Sequence, residues 1–166
     1  MASVIRGSDD FDSGTVGKVL QVVNFQTGAV AGGTTVMPYD DTIPQITEGN
    51  EYMTLAITPS NALNILQINV VIYLSNNTAN NTTSCALFVG VSANALAAVA
   101  TTQGANDQPE VVLINHTVIA GSTGVLTFRL RAGPSSAATL TFNGTNNTRR
   151  FGGVAASSIT ITEYTP

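Results

Sequence analysis

At 166 residues the chain suits one domain whose core can be buried without a disulfide or metal staple. Only 10% of its residues are charged, far below the roughly one quarter of an ordinary soluble domain, and a net charge of −4 gives no electrostatic hold on a phosphate backbone, which argues against nucleic acid as a partner. One cysteine, Cys85, leaves no intrachain disulfide or thiolate cluster, and the lack of any run of about 18 apolar residues argues against insertion in a membrane.

Residues 1–17 combine Asp9, Asp10 and Asp12 with Gly7, Gly14 and Gly17, and carry Val4, Ile5 and Phe11 as their sticky side chains. Such a segment is predicted to be an N-terminal arm preceding a domain at 18–166, and Val4, Ile5, Arg6 and Phe11 are its candidate anchoring residues. The arm has no long apolar core behind a basic start, so export is not expected. The Asn-x-Thr triplets at Asn76, Asn80, Asn81, Asn115, Asn143 and Asn146 are accordingly taken as turn chemistry, not sugar acceptors.

Residues 18–26, rich in Val and aromatic side chains, predict a first strand, and the glycines of 28–33 a turn. A short extended piece at 34–39 leads into an ordered loop over 38–51, where Pro38, Pro44 and Gly49 exclude a helix or a central strand. Strands are expected at 53–58, 64–74, 85–91 and 110–119, with the polar tract 75–84 as a surface loop between two of them. Residues 94–101 suit a strand or irregular turn better than a barely two-turn helix. Residues 125–132 have the cleanest two-residue period, with Leu126, Phe128, Leu130 and Ala132 on one side and Thr127, Arg129 and Arg131 on the other. A turn at Gly133-Pro134, a strand at 137–142, a loop at 143–150 and a closing strand at 157–164 with Ile159 and Ile161 inward complete the chain. Short strands separated by Gly, Asn, Pro and Ser turns give an all-β, single antiparallel β-sandwich, with jelly-roll-like wiring expected at this length. The immunoglobulin-like alternative would lack its cysteine pair and tryptophan.

Residues 52–106 contain no Asp, Glu, Lys or Arg across 55 positions. Within them, Leu66, Ile68, Val70, Ile72 and Leu74 share one side of a strand, while Ile65, Gln67, Asn69, Val71 and Tyr73 share the other. A strand that is apolar on one side and half apolar on the other points to a neighbouring subunit. A monomer whose outer faces are dressed with Asn, Thr and Ser is the alternative.

No set of residues suggests an enzyme or a cofactor. His116 is the sole histidine and falls in the inward pattern Val112, Ile114, His116, Val118, which suits a core or subunit contact better than a catalytic triad. The clusters Asp9, Asp10, Asp12 and Asp40, Asp41 do not have calcium-loop spacing; solvated acids capping turns are expected. Arg149, Arg150 and Phe151 form a candidate ligand or subunit contact, able to hold a carboxylate or stack on a sugar, or to pair with Glu163 or another acid across a subunit boundary.

Residues 38–59 (PYDDTIPQITEGNEYMTLAITP) resemble the C-terminal β domains of bacteriophage tail-fibre and related virion surface proteins. The similarity continues through 86–88, 93–99 (ANALAAV), 120–133 (AGSTGVLTFRLRAG), 141–144 and 150–163 (RFGGVAASSITITE), covering nearly all of 18–164. The resemblance implies a homotrimeric, jelly-roll-like module exposed on a virion and made in the bacterial host cytoplasm. Its motifs are structural and carry over no ligand-binding residue. With about 17 residues ahead of the domain in place of a fibre shaft, docking through the arm to capsid or tail proteins is expected. The alternative is a receptor-binding tip whose loops at 75–84 and 143–150 touch a host-cell surface glycan.

Overall fold

The computed structural model describes residues 17–166. The expected arm therefore falls almost wholly outside the described residues, as do Val4, Ile5, Arg6 and Phe11.

Twelve strands follow one another among the described residues: β1 (Val19–Thr27), β2 (Ala31–Gly33), β3 (Asn50–Ile57), β4 (Ile65–Asn76), β5 (Thr82–Val89), β6 (Ala97–Thr102), β7 (Pro109–Ile119), β8 (Leu126–Pro134), β9 (Leu140–Phe142), β10 (Gly144–Thr145), β11 (Thr148–Arg149) and β12 (Ser157–Tyr164). Ten of them make two packed antiparallel sheets, and β10 pairs with β11 in a separate two-stranded hairpin. The first runs β1-β12-β4-β7, with the short β9 and β2 continuing beside the end of β4; the second runs β3-β8-β5-β6. The first long strand thus lies beside the last, and the long strands interleave between the two sheets in the double Greek-key order of a jelly roll.

The core lies between the sheets, and the two-residue period explains it. Leu66, Ile68, Val70, Ile72 and Leu74 of β4 are fully or almost fully buried, and Ile159 and Ile161 of β12 join them. Met53, Ile57, Leu87, Phe128 and Leu130 complete the cluster from the opposite sheet. Cys85 is buried in the same cluster, where burial pushes its thiol up to about 12, so it behaves as a small hydrophobe.

The second sheet is covered on its outer side by the loop over 34–49. Met37 and Phe88 are completely buried there, with Ile46 and Ala95 packed against them. Arg131 donates to the carbonyls of Glu48 (2.9 Å) and Gly49 (2.7 Å) and pins the loop's end. The loop passes so close to β8 that a Cβ on Gly133 would meet the carbonyl oxygen of Thr35 at 2.3 Å. Only glycine fits that position.

Four sequence expectations need correction. Residues 28–33 are not wholly a turn, since Ala31–Gly33 pairs with Leu140–Phe142. Gly133-Pro134 does not turn the chain, because β8 runs through both. The tract 75–84 is a surface loop at 77–80 alone: Ser75, Asn76, Asn81, Thr83 and Ser84 are buried. Its amides find internal partners, as where the buried Gln103 accepts from the Asn76 N–H at 2.8 Å and donates to the Gln108 carbonyl. Residues 143–145 are likewise buried, so only 146–150 project. Asn143 is a clamp, donating to the carbonyls of Thr27 (2.7 Å) and Ala29 (3.1 Å) and accepting from the Ser157 hydroxyl (2.7 Å).

Candidate functional site

The two outer faces of the sandwich differ in charge. On the second sheet, Arg129 and Arg131 flank Glu51 at 3.0 and 3.6 Å. On the first sheet, the cross-strand register sets Val71 of β4 between Leu113 of β7 and Ser158 of β12, and Tyr73 beside Val111. Further along, Asn69 lies between Asn115 and Thr160, Gln67 between Thr117 and Thr162, and Ile65 between Ile119 and Tyr164. Val22, Asn24 and Gln26 of β1 continue these rows beside Thr162, Thr160 and Ser158. This four-strand face contains no charged side chain.

Its apolar groups are well exposed: Val111 at 60%, Leu113 and Ile119 at 62%, and Val22 at 56%. Between the apolar ends runs a belt of amides and hydroxyls, partly paired among themselves. Asn24 donates to the Thr160 hydroxyl at 2.7 Å, and the Tyr164 hydroxyl donates to Gln67 at 3.0 Å. Among the described residues, β7 forms an open edge, pairing with β4 alone over 11 residues. Its only acid is Glu110, at one end, and it carries no Lys or Arg. Long edges of this composition template association unless they are covered.

His116 is on β7, opposite Ile68, half-buried and facing the core side of the edge strand. Arg149, Arg150 and Phe151 are brought together elsewhere, at the small β10–β11 hairpin and the 3-10 turn Phe151–Gly153. All three are exposed, Phe151 at 76% and with a left-handed φ of 48°. The Arg150 guanidinium donates to the Thr145 hydroxyl.

Glu163 is not the partner of either arginine within the chain. It is completely buried, and its carboxylate accepts from the Ser60 N–H and hydroxyl (both 2.8 Å), from Asn64 and from Gln21. A register shift between Val19 and Gln21 brings Gln21 opposite it. Burial raises the carboxyl's pKa, but these hydrogen bonds outweigh it and hold the group down to about 2. Sequence reasoning missed this cluster although the signal was present: Ser157, Ile159, Ile161 and Glu163 share one side of β12, all four buried.

Asp40 accepts from the backbone N–H (2.9 Å) and the hydroxyl (2.6 Å) of Thr42, the expected turn cap. Among the described residues, no group of three or more His, Cys, Asp or Glu is placed to hold a metal, and no helix is long and apolar enough to cross a membrane. Neither a protein-family model nor a curated protein matches the chain. Among solved structures, the chain is similar to an Eiger TNF from S. frugiperda at 10% identity and TM-score 0.48, over 88% of this chain and 93% of that one. It is similar to a chain of infectious bursal disease virus, Gx strain, at 10% identity and TM-score 0.40, over 88% of this chain and 37% of that one. A third likeness is to Bacillus endospore appendages described as disulfide-linked pili, at 16% identity and TM-score 0.32, over 90% and 91% of the two chains.

Proposed function

We propose that this chain is a non-enzymatic structural protein of a bacteriophage virion, a surface-exposed homotrimer docked to the particle through residues 1–17, as a capsid decoration or head-fibre protein. The observation that carries the reading is the uncharged, half-apolar outer face of the β1-β12-β4-β7 sheet. Four strands at about 4.8 Å spacing and some ten residues at about 3.4 Å rise make a plane of roughly 600 Å², close to one partner's share of a standard interface. Covering an exposed Val, Leu or Ile contributes about 1–2 kcal/mol. The belt of Asn, Gln and Thr supplies hydrogen-bonding groups without the desolvation cost of ions. A ring of three copies closes this surface and leaves no edge to grow.

The setting, a phage particle, rests on the resemblance over 18–164, and so does the alternative reading of a tail-fibre or receptor-binding tip that attaches to a host-cell surface glycan. Removing residues 1–17 separates them. For a decoration protein, the truncated chain keeps its oligomeric mass but no longer binds particles that lack it. Continued binding to the particle would remove the anchoring role. Purified protein that adheres to host cells and blocks infection would establish the tip.

A further inference from the structure

The outer side of the second sheet carries a trough, between the loop at 38–44 and the edge strand β6. Two adjoining hollows, of about 260 and 390 Å³, share Asp40, Thr42, Pro44 and Ala98 in their walls. The trough exists because the strands beneath it offer small side chains, with Ala98 and Ala100 on β6 and Ser84 beside Ala100 on β5. Above this floor stands Tyr39, a large aromatic that is 69% exposed. Ser84 is only 4% exposed, and its hydroxyl, on the trough side of β5, has no hydrogen-bond partner among the described residues. A buried hydroxyl left without a partner is unfavourable, and a ligand reaching the floor would satisfy it.

We propose that this trough binds a neutral, hydroxyl-rich sugar unit, stacked on Tyr39 and held through its hydroxyls by Asp40 and Ser84. The alanine floor and the tyrosine ring suit the C–H face of a pyranose, while carboxylate and hydroxyl oxygens suit its edge. The Thr42 hydrogen bonds lower the Asp40 pKa and keep the carboxylate as an acceptor. Among the described residues no Lys or Arg lines either hollow, so acidic sugars meet only like charge there, from Asp40 and Asp41. The site is on the sheet opposite the uncharged face, so it stays open when that face is covered.

The test is saturation-transfer NMR on the full chain, with the methyl glycosides of glucose, galactose, mannose and N-acetylglucosamine as probes. N-acetylneuraminic acid and an oligo-arginine peptide serve as counter-probes. At least one neutral glycoside is expected to bind, with a Kd on the order of 1 mM. Tyr39→Ala should weaken it about tenfold and Ser84→Ala several-fold, both with the oligomeric mass unchanged. Silence from all four glycosides at about 10 mM, ten times the expected Kd, undiminished binding in either variant, or preference for the acidic sugar or the peptide would overturn the proposal. A monomer that binds sugar would remove the trimer and leave this site standing, whereas a trimer that does not would remove this site alone.

Discussion

Glu163 shows how a carboxylate can be buried without a cation. Four donors from Gln21, Asn64 and Ser60 tie β12 to β1 and to the turn ahead of β4, satisfying the charge by geometry rather than by ion pairing. Because the folded pKa, about 2, is below the ordinary value of 4.5, the ionised group favours the folded state. That contribution is complete above about pH 4.5 and is lost as pH falls toward 2. Glu163→Gln should therefore destabilise the protein at pH 7 by about 2–3 kcal/mol, the scale of hydrogen bonds to a charged group. In urea titrations, its deficit relative to the natural chain should shrink between pH 4.5 and 2. A deficit that stays constant over that interval would show that the carboxylate's charge is not what the donors recognise.

Among the elements, the alternating strands were legible because their period is two. The inward rows of β4, β8 and β12 follow from residue parity, and so does the inward position of His116. Three things were not legible. The loop over 34–49 has no period, so nothing in its sequence announces that Met37 and Ile46 cover Phe88. The tract 75–84 looks solvated by composition, yet its Asn, Ser and Thr side chains are internal partners for one another and for the backbone. The two-residue strands β10 and β11 are set by left-handed Asn146 and Asn147 at a tight turn, a local choice too short for any pattern to reveal.

The open edge β7 and the face beside it were visible only as an excess of apolar side chains on the second side of β4. Register supplied the rest, aligning Val71 with Leu113 and Tyr73 with Val111. A charge placed there tests the role of the face without touching the core. Leu113→Lys should leave the thermal unfolding of a single subunit within about 0.5 kcal/mol, as exposed substitutions do. It should also weaken subunit association by at least about 2 kcal/mol, a loss of thirtyfold or so, through desolvation of an unpaired ammonium. Lys in place of Ala98, on the opposite sheet, should leave association intact. Equal effects from the two would show that the β7 face has no special part in assembly.

For the whole molecule, the distribution of charge is the unifying feature. Among the described residues, Arg129, Arg131 and Glu51 put charge on the second sheet, whereas the outer face of the first sheet presents amides, hydroxyls, aliphatic groups and tyrosines with no ionised side chain. A jelly roll this poor in surface charge has its solubility problem on one side, the side that the proposed second and third copies would cover. The direct test is the mass of the purified full chain by sedimentation at low micromolar concentration. A trimer gives a single species of about 51 kDa, three times the 17.1 kDa chain, stable on dilution. A well-behaved 17.1 kDa monomer at that concentration would contradict it.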